Sequence, residues 1–112
     1  MAYRLIVYPR VDRVLHSIYD WGVQDSGIRA ARTFVRKIVA SLSDIRKHPC
    51  SYSVEPALEG MNLEYRSMVA HPYFKFIFYI DEFSKTIYVV DLWDTRMDPL
   101  DLVHYFEKYR DK

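Results

Sequence analysis

A single cysteine, Cys50, stands in the whole sequence, so no internal disulfide can form. No Cys/His spacing suggests a metal site, and neither a metal nor a cofactor is expected. Such a chain suits a reducing compartment, and the cytoplasm is its simplest home. No apolar run reaches the length of a membrane span, and the N-terminal MAYRLIVYPR carries charges inside its apolar stretch. It therefore resembles neither a signal peptide nor a transmembrane helix, and no membrane partner is expected. Internal repeats, Gly/Ser linkers and low-complexity stretches are also missing.

Net charge is small, at +1, but unevenly spread. Residues 1–50 hold nine Lys/Arg against four Asp/Glu, and residues 51–112 hold seven against eleven. The first half can favour an acidic partner, whereas the second has no general attraction for phosphates. Aromatics, by contrast, are plentiful: ten Tyr, six Phe and two Trp in 112 residues, half of which are hydrophobic. That is enough for a real core and too short for two, so residues 1–112 are read as one domain.

Ala2–Tyr8 reads as a first strand, stopped by Pro9. Val11, Val14, Leu15, Ile18 and Gly22 fall at helical spacing, predicting a helix to about Val23. Gln24–Ile28 is a turn in which Asp25 or Ser26 can cap a second helix. That helix carries the stripe Ala31, Phe34, Val35, Ile38, Val39, Leu42, Ile45, and His48-Pro49 stops it. Joined by so short a turn, the two helices should form a hairpin. Cys50 to Asn62 reads as loop with one short extended piece. Three strands follow, Glu64–Ala70, Phe74–Asp81 and Thr86–Trp93, whose close spacing predicts an antiparallel meander. Both faces of the middle strand are apolar or aromatic, as in a strand covered on both sides. Asp98-Pro99 starts a C-terminal helix with Leu100, Val103, Phe106 and Tyr109 along one side. The order β-α-α-β-β-β-α predicts an α+β fold, an N-terminal strand and helical hairpin packed on an antiparallel sheet, closed by a short helix.

The stretch EYRSMVAHPYFKFIFYIDEFSKTIYVVDLWDTRMDP, residues 64–99, carries a resemblance. Tyr65-Arg66 on the first strand, Phe74-Lys75-Phe76-Ile77 on the second and Thr95-Arg96-Met97-Asp98-Pro99 after the third resemble the RelE/ParE superfamily of toxins from type II toxin–antitoxin systems. The match runs from residue 3 to residue 99, and it rests on the order and spacing of these pieces. It implies a growth-inhibiting toxin, of the kind used in plasmid stabilization, that binds a cognate antitoxin; a homodimer is compatible with it.

Two chemistries are implied by the resemblance. RelE-like members are ribosome-dependent mRNA endoribonucleases that use no metal. ParE-like members poison DNA gyrase and do no chemistry of their own. Under the nuclease reading Arg66, Lys75 and Arg96 would clamp phosphate, and His71 and Tyr73 would move protons. Each residue also has a plainer reading: Arg66 forked to Glu64, Asp91 or a loop carbonyl, Lys75 reaching water, Arg96 paired with Asp98, His71 and Tyr73 at a turn surface. Asp94 stands where many members have a His or a basic residue. The acidic second half and Asp94 weigh toward the ParE-like branch, as do the long hairpin and Ala30–Phe34. Arg29, Arg32, Arg36 and Lys37 then form a basic helical surface for a partner, or simply a solvated face. A third reading is an inactive relative acting only as a protein-binding module.

Overall fold

The computed structural model describes residues 2–110. Strand β1 (Arg4–Val7) runs into helix α1 (Pro9–Ser26), with Tyr8 at the N-cap and Pro9 in the first helical turn. Pro9 ends the strand, as expected, and also begins the helix, where its missing N–H costs nothing. The expected side-chain cap from Asp25 or Ser26 is not formed. Gly27 alone, at φ 89°, reverses the chain, so α1 keeps both residues as its last turn. Helix α2 (Ile28–Ala40) follows at once, and α3 (Leu42–Lys47) continues it after a break at Ser41. There the serine hydroxyl donates to the Ile38 carbonyl at 2.6 Å, competing with the helical backbone ladder. Ala31, Ile38 and Ile45 are buried, but Val39 is not, because it lies at the edge of the stripe. At Gly22 α1 and α2 approach closely: a Cβ placed on it would lie 3.0 Å from the Cβ of Ala31.

Residues 49–62 hold two 3-10 turns, Pro49–Ser51 and Pro56–Leu58, and Val54 bridges to Arg66 as the short extended piece. Strands β2 (Arg66–His71), β3 (Phe74–Asp81) and β4 (Thr86–Asp94) form the antiparallel meander. The sheet order is β1-β4-β3-β2, and β1 joins β4 in parallel, making the whole sheet mixed. This follows from connectivity, because the hairpin carries the chain across the sheet between β1 and the meander.

One face of the sheet packs Phe76, Phe78, Ile87 and Val89 against Val11, Ile18, Ile38 and Ile45 of the hairpin. The other packs Tyr65, Ile77, Val90 and Trp93 against Leu102 and Phe106 of helix α4 (Pro99–Tyr109). The Asp98 carboxylate accepts from the Leu100 N–H at 2.9 Å, the predicted cap. The predicted buried side of α4 is corrected: Leu100 and Tyr109 are exposed, and Leu102 with Phe106, four residues apart, face the sheet. The helix offered two apolar stripes, and the sheet selected one.

A bulge in β4 matters for the site. Ile77 pairs with Asp91 and Phe78 with Val89, leaving Val90 as an extra residue. Val89 and Leu92 therefore share the hairpin layer, Val90 and Trp93 share the other, and Asp91 falls between them, fully buried.

Candidate functional site

A groove of about 680 Å³ opens between α1 and the end of β4. Arg10, Val14, Ser17, Ile18 and Trp21 form its α1 wall, at the spacing of one helix face. Phe34, His71, Tyr73 and Phe74 close one end, and Leu92, Asp94, Arg96, Met97 and Tyr105 the other side. The lining is mainly apolar, and Trp21, Tyr73 and Met97 are exposed.

Three of the five residues singled out in the sequence meet here. His71 lies edge-on to Phe34 at 4.8 Å and to Tyr73 at 5.2 Å between ring centres. Its Nδ1 accepts from the Tyr73 N–H at 3.2 Å. The Arg96 guanidinium lies 4.4 Å above the centre of the Tyr73 ring. Arg96 donates to both carboxylate oxygens of Asp94, at 3.0 and 2.8 Å. Its side-chain hydrogen bonds hold the Asp94 carboxyl below the usual range, and Asp94 in turn raises Arg96. The expected plainer partner, Asp98, is replaced by Asp94.

Arg66 and Lys75 lie elsewhere and on opposite faces of the sheet. Arg66 is directly across from Phe78, which belongs to the hairpin layer, whereas Lys75 is across from Trp93, which belongs to the α4 layer. Arg66 donates to the Tyr52 carbonyl and, at 2.8 Å, to Glu64. Lys75 forms an ion pair with Glu55, whose carboxylate is buried and also accepts from the Ala57 N–H at 2.9 Å. Arg29, Arg32, Arg36 and Lys37 are all exposed on α2, and none lines the groove.

Sequence reasoning missed Arg10 and Trp21, and took Asp91 only as a plain partner for Arg66. Arg10 donates through Nε to Asp91 at 3.3 Å and lies 4.7 Å from the centre of the Tyr105 ring. Burial pushes the Asp91 carboxyl up, against the opposing pull of Arg10. Its Oδ1 also accepts from the Leu92 N–H, and Oδ2 has no hydrogen-bond partner among the described residues. One signal was available: Asp91 is a lone acid inside the apolar run VVDLW.

No family model matches this sequence, and no curated protein matches it. Solved structures do. A chain of a chromosomal ParDE system from P. aeruginosa is similar at TM-score 0.69 and 18% identity, covering 82% of this chain and 95% of that one. A chain of the RelBE2 toxin–antitoxin complex from Mycobacterium tuberculosis is similar at 0.59 and 13%, over 84% and 99%. A chain of the archaeal RelE–RelB complex from Pyrococcus horikoshii is similar at 0.57 and 17%, over 84% and 96%.

The chain shares its fold with these ParDE and RelBE chains. Within this shared fold the groove collects His71, Tyr73 and Arg96 but keeps Arg66 and Lys75 out. Among the described residues, no group of three or more His, Cys, Asp or Glu is placed to hold a metal ion. No described helix is long and apolar enough to cross a membrane.

Proposed function

We propose that this chain is the toxin of a bacterial toxin–antitoxin pair, held by a cognate antitoxin, and that it is ParE-like, arresting growth by binding and poisoning DNA gyrase. The observation that carries this reading is the separation of the cations. Cleavage of RNA by its own 2′-hydroxyl needs positive groups converging on one phosphate as charge builds in the transition state. Arg66 and Lys75 sit on opposite faces of the sheet, and Arg66, Lys75 and Arg96 are each held by a carboxylate. Each would have to give up its ion pair before it could serve. The mainly apolar groove suits a protein segment better than a phosphate backbone.

A second reading is the RelE-like ribosome-dependent nuclease, and one observation favours it. His71, Tyr73 and Arg96 share the groove with the exposed ring of Trp21, which offers a stacking surface for a base. Pulse-labelling after brief induction, in a bacterial host without the antitoxin, separates the two. DNA synthesis is expected to fall first, and to do so unchanged in a His71→Ala, Arg96→Ala double variant. Early loss of protein synthesis that the double variant abolishes would replace this reading with the nuclease. Unimpaired growth on induction of the folded chain would remove the toxin reading itself.

A further inference from the structure

Helix α2 carries an unbalanced charge. Its residues Ile28–Ala40 include Arg29, Arg32, Arg36 and Lys37 and no Asp or Glu. The whole chain has sixteen Lys/Arg and fifteen Asp/Glu, so everything outside α2 is net acidic. Arg29, Arg32 and Arg36 recur at intervals of three and four and therefore share one face of the helix, with Lys37 on its flank. All four are exposed. None of their side chains makes a hydrogen bond or an ion pair among the described residues. Asp25, the acid that precedes the helix, accepts from the Ser26 hydroxyl at 2.8 Å instead.

This arrangement works against the helix that holds it. Like charges three and four residues apart repel along a face. Arg29 also stands in the first turn, at the positive end of the helix dipole, where acids are favoured and α2 has none. Helix α4 shows the ordinary pattern in the same chain, with Asp101 in its first turn and Lys108 in its last. A face that only keeps a chain in solution mixes both signs. A face of one sign on an otherwise acidic chain turns the molecule toward a polyanion.

The rest of the face says which polyanion. Among the cations stand the exposed Thr33 and Ala40, and the aliphatic Ile28 and Val39 lie on the flank away from Lys37. No exposed aromatic ring belongs to α2. The face thus lacks the central anchor of a protein interface, the wedge that enters a membrane and the platform on which a single strand stacks. A row of free guanidiniums is what the backbone of a duplex requires, and it carries no means of reading bases.

We infer that the α2 face of Arg29, Arg32, Arg36 and Lys37 binds the phosphate backbone of duplex DNA, without regard to sequence. The choice of DNA over an RNA duplex rests on the gyrase reading; the cationic face itself does not.

The test follows the anisotropy of a short labelled DNA duplex as the full-length chain is added, over a series of salt concentrations. The same sequence as an RNA duplex and polyglutamate are the competing probes. Binding is expected with a Kd in the range of about 10⁻⁴–10⁻⁶ M, equal for two unrelated sequences. The logarithm of the binding constant should fall with that of salt at a slope of about −3 to −4, since each neutralised phosphate contributes about −0.9. Arg32→Gln should make that slope shallower by about 1, and Lys108→Gln, on the far side of the sheet, should leave it unchanged. The triple variant Arg29→Gln, Arg32→Gln, Arg36→Gln, shown to be folded by its thermal transition, should lose binding. No binding by the wild type, undiminished binding by the folded triple variant, or stronger competition by RNA or polyglutamate than by unlabelled DNA overturns the inference. Pulse-labelling keeps the two readings apart. DNA synthesis falling first in a chain that binds no DNA would remove this surface and leave the gyrase reading standing. DNA binding through α2 beside early loss of protein synthesis would do the reverse.

Discussion

Arg96 grips Asp94 with two nitrogens while lying flat above the ring of Tyr73, so the one cation expected after β4 reaches the groove already paired. The pair is well exposed, with the Arg96 side chain 57% accessible, and exposed pairs contribute little. Arg96→Ala is expected to change stability by less than about 1 kcal/mol, within the range of surface pairs. Under the gyrase reading growth arrest persists in this variant, which a urea titration and a plate assay together check. Lost arrest at unchanged stability would return Arg96 to a catalytic role.

Lys75 is the opposite case. Its partner Glu55 is only 3% exposed, so losing the ammonium strands a buried carboxylate. Lys75→Met is expected to cost about 3–5 kcal/mol, the range for breaking a buried pair from one side. Pairing it with Glu55→Gln should recover much of that loss, because the charge disappears while the bond to the Ala57 N–H is kept. Urea midpoints of the single and double variants provide the measurement. Equal midpoints for the two would contradict this account.

At the hairpin crossing, Gly22 has no room to grow toward Ala31. Gly22→Val is expected to destabilise the chain by about 1–3 kcal/mol, the range for overpacking. Adding Ala31→Gly should return part of it, giving a non-additive cycle by thermal unfolding. Simple additivity would show that the crossing is looser than the 3.0 Å approach implies.

Asp91 gives a pH signature of defined sign. Its folded-state pKa is raised by burial, so the folded chain holds a proton more tightly than the unfolded chain does. The contribution of this group is therefore fully present below the ordinary carboxylate value and falls as pH rises toward its elevated folded value. Asp94, lowered by Arg96, and Glu82, lowered by the hydrogen bonds it accepts from Lys85 and Tyr3, act in the reverse sense and lose stability as pH falls. Comparison with Asp91→Asn isolates the first effect: the wild type should gain stability relative to the variant as pH falls from neutral. A constant difference between pH 7 and pH 4 would rule out a raised Asp91.

Elements with strong local signals were legible in the sequence. The run of aromatics from Phe74 to Asp81 marked a strand covered on both faces, and Asp98-Pro99 marked a helix start; both stand as read. The partnership of β1 with β4 was not, since nothing in Arg4–Val7 indicates which strand it will meet or in which direction. The site divides in the same way. His71, Tyr73 and Arg96 are close in the meander and could be grouped by spacing. Whether Arg66 and Lys75 join them depends on the strand register, where one position moves a side chain to the opposite face. The partners Tyr52 and Glu55 come from an irregular loop that carries no periodic signal. Arg10 and Asp91 meet only because β1 delivers the start of α1 to the bulge in β4.

The parallel seam between β1 and β4 also sets a timetable. Arg4 is made long before its partner Thr86, with the whole helical hairpin between them, and Thr86 opens the last strand of the sheet. Until then the helical hairpin can form locally, but its apolar stripe has no sheet to cover it. The unfinished chain is thus incomplete at the groove, one side of which is built from Leu92 and the residues that follow it, and exposed to aggregation. A protein assembled in this order has no finished groove to offer until the residues up to Tyr105 have followed the hairpin.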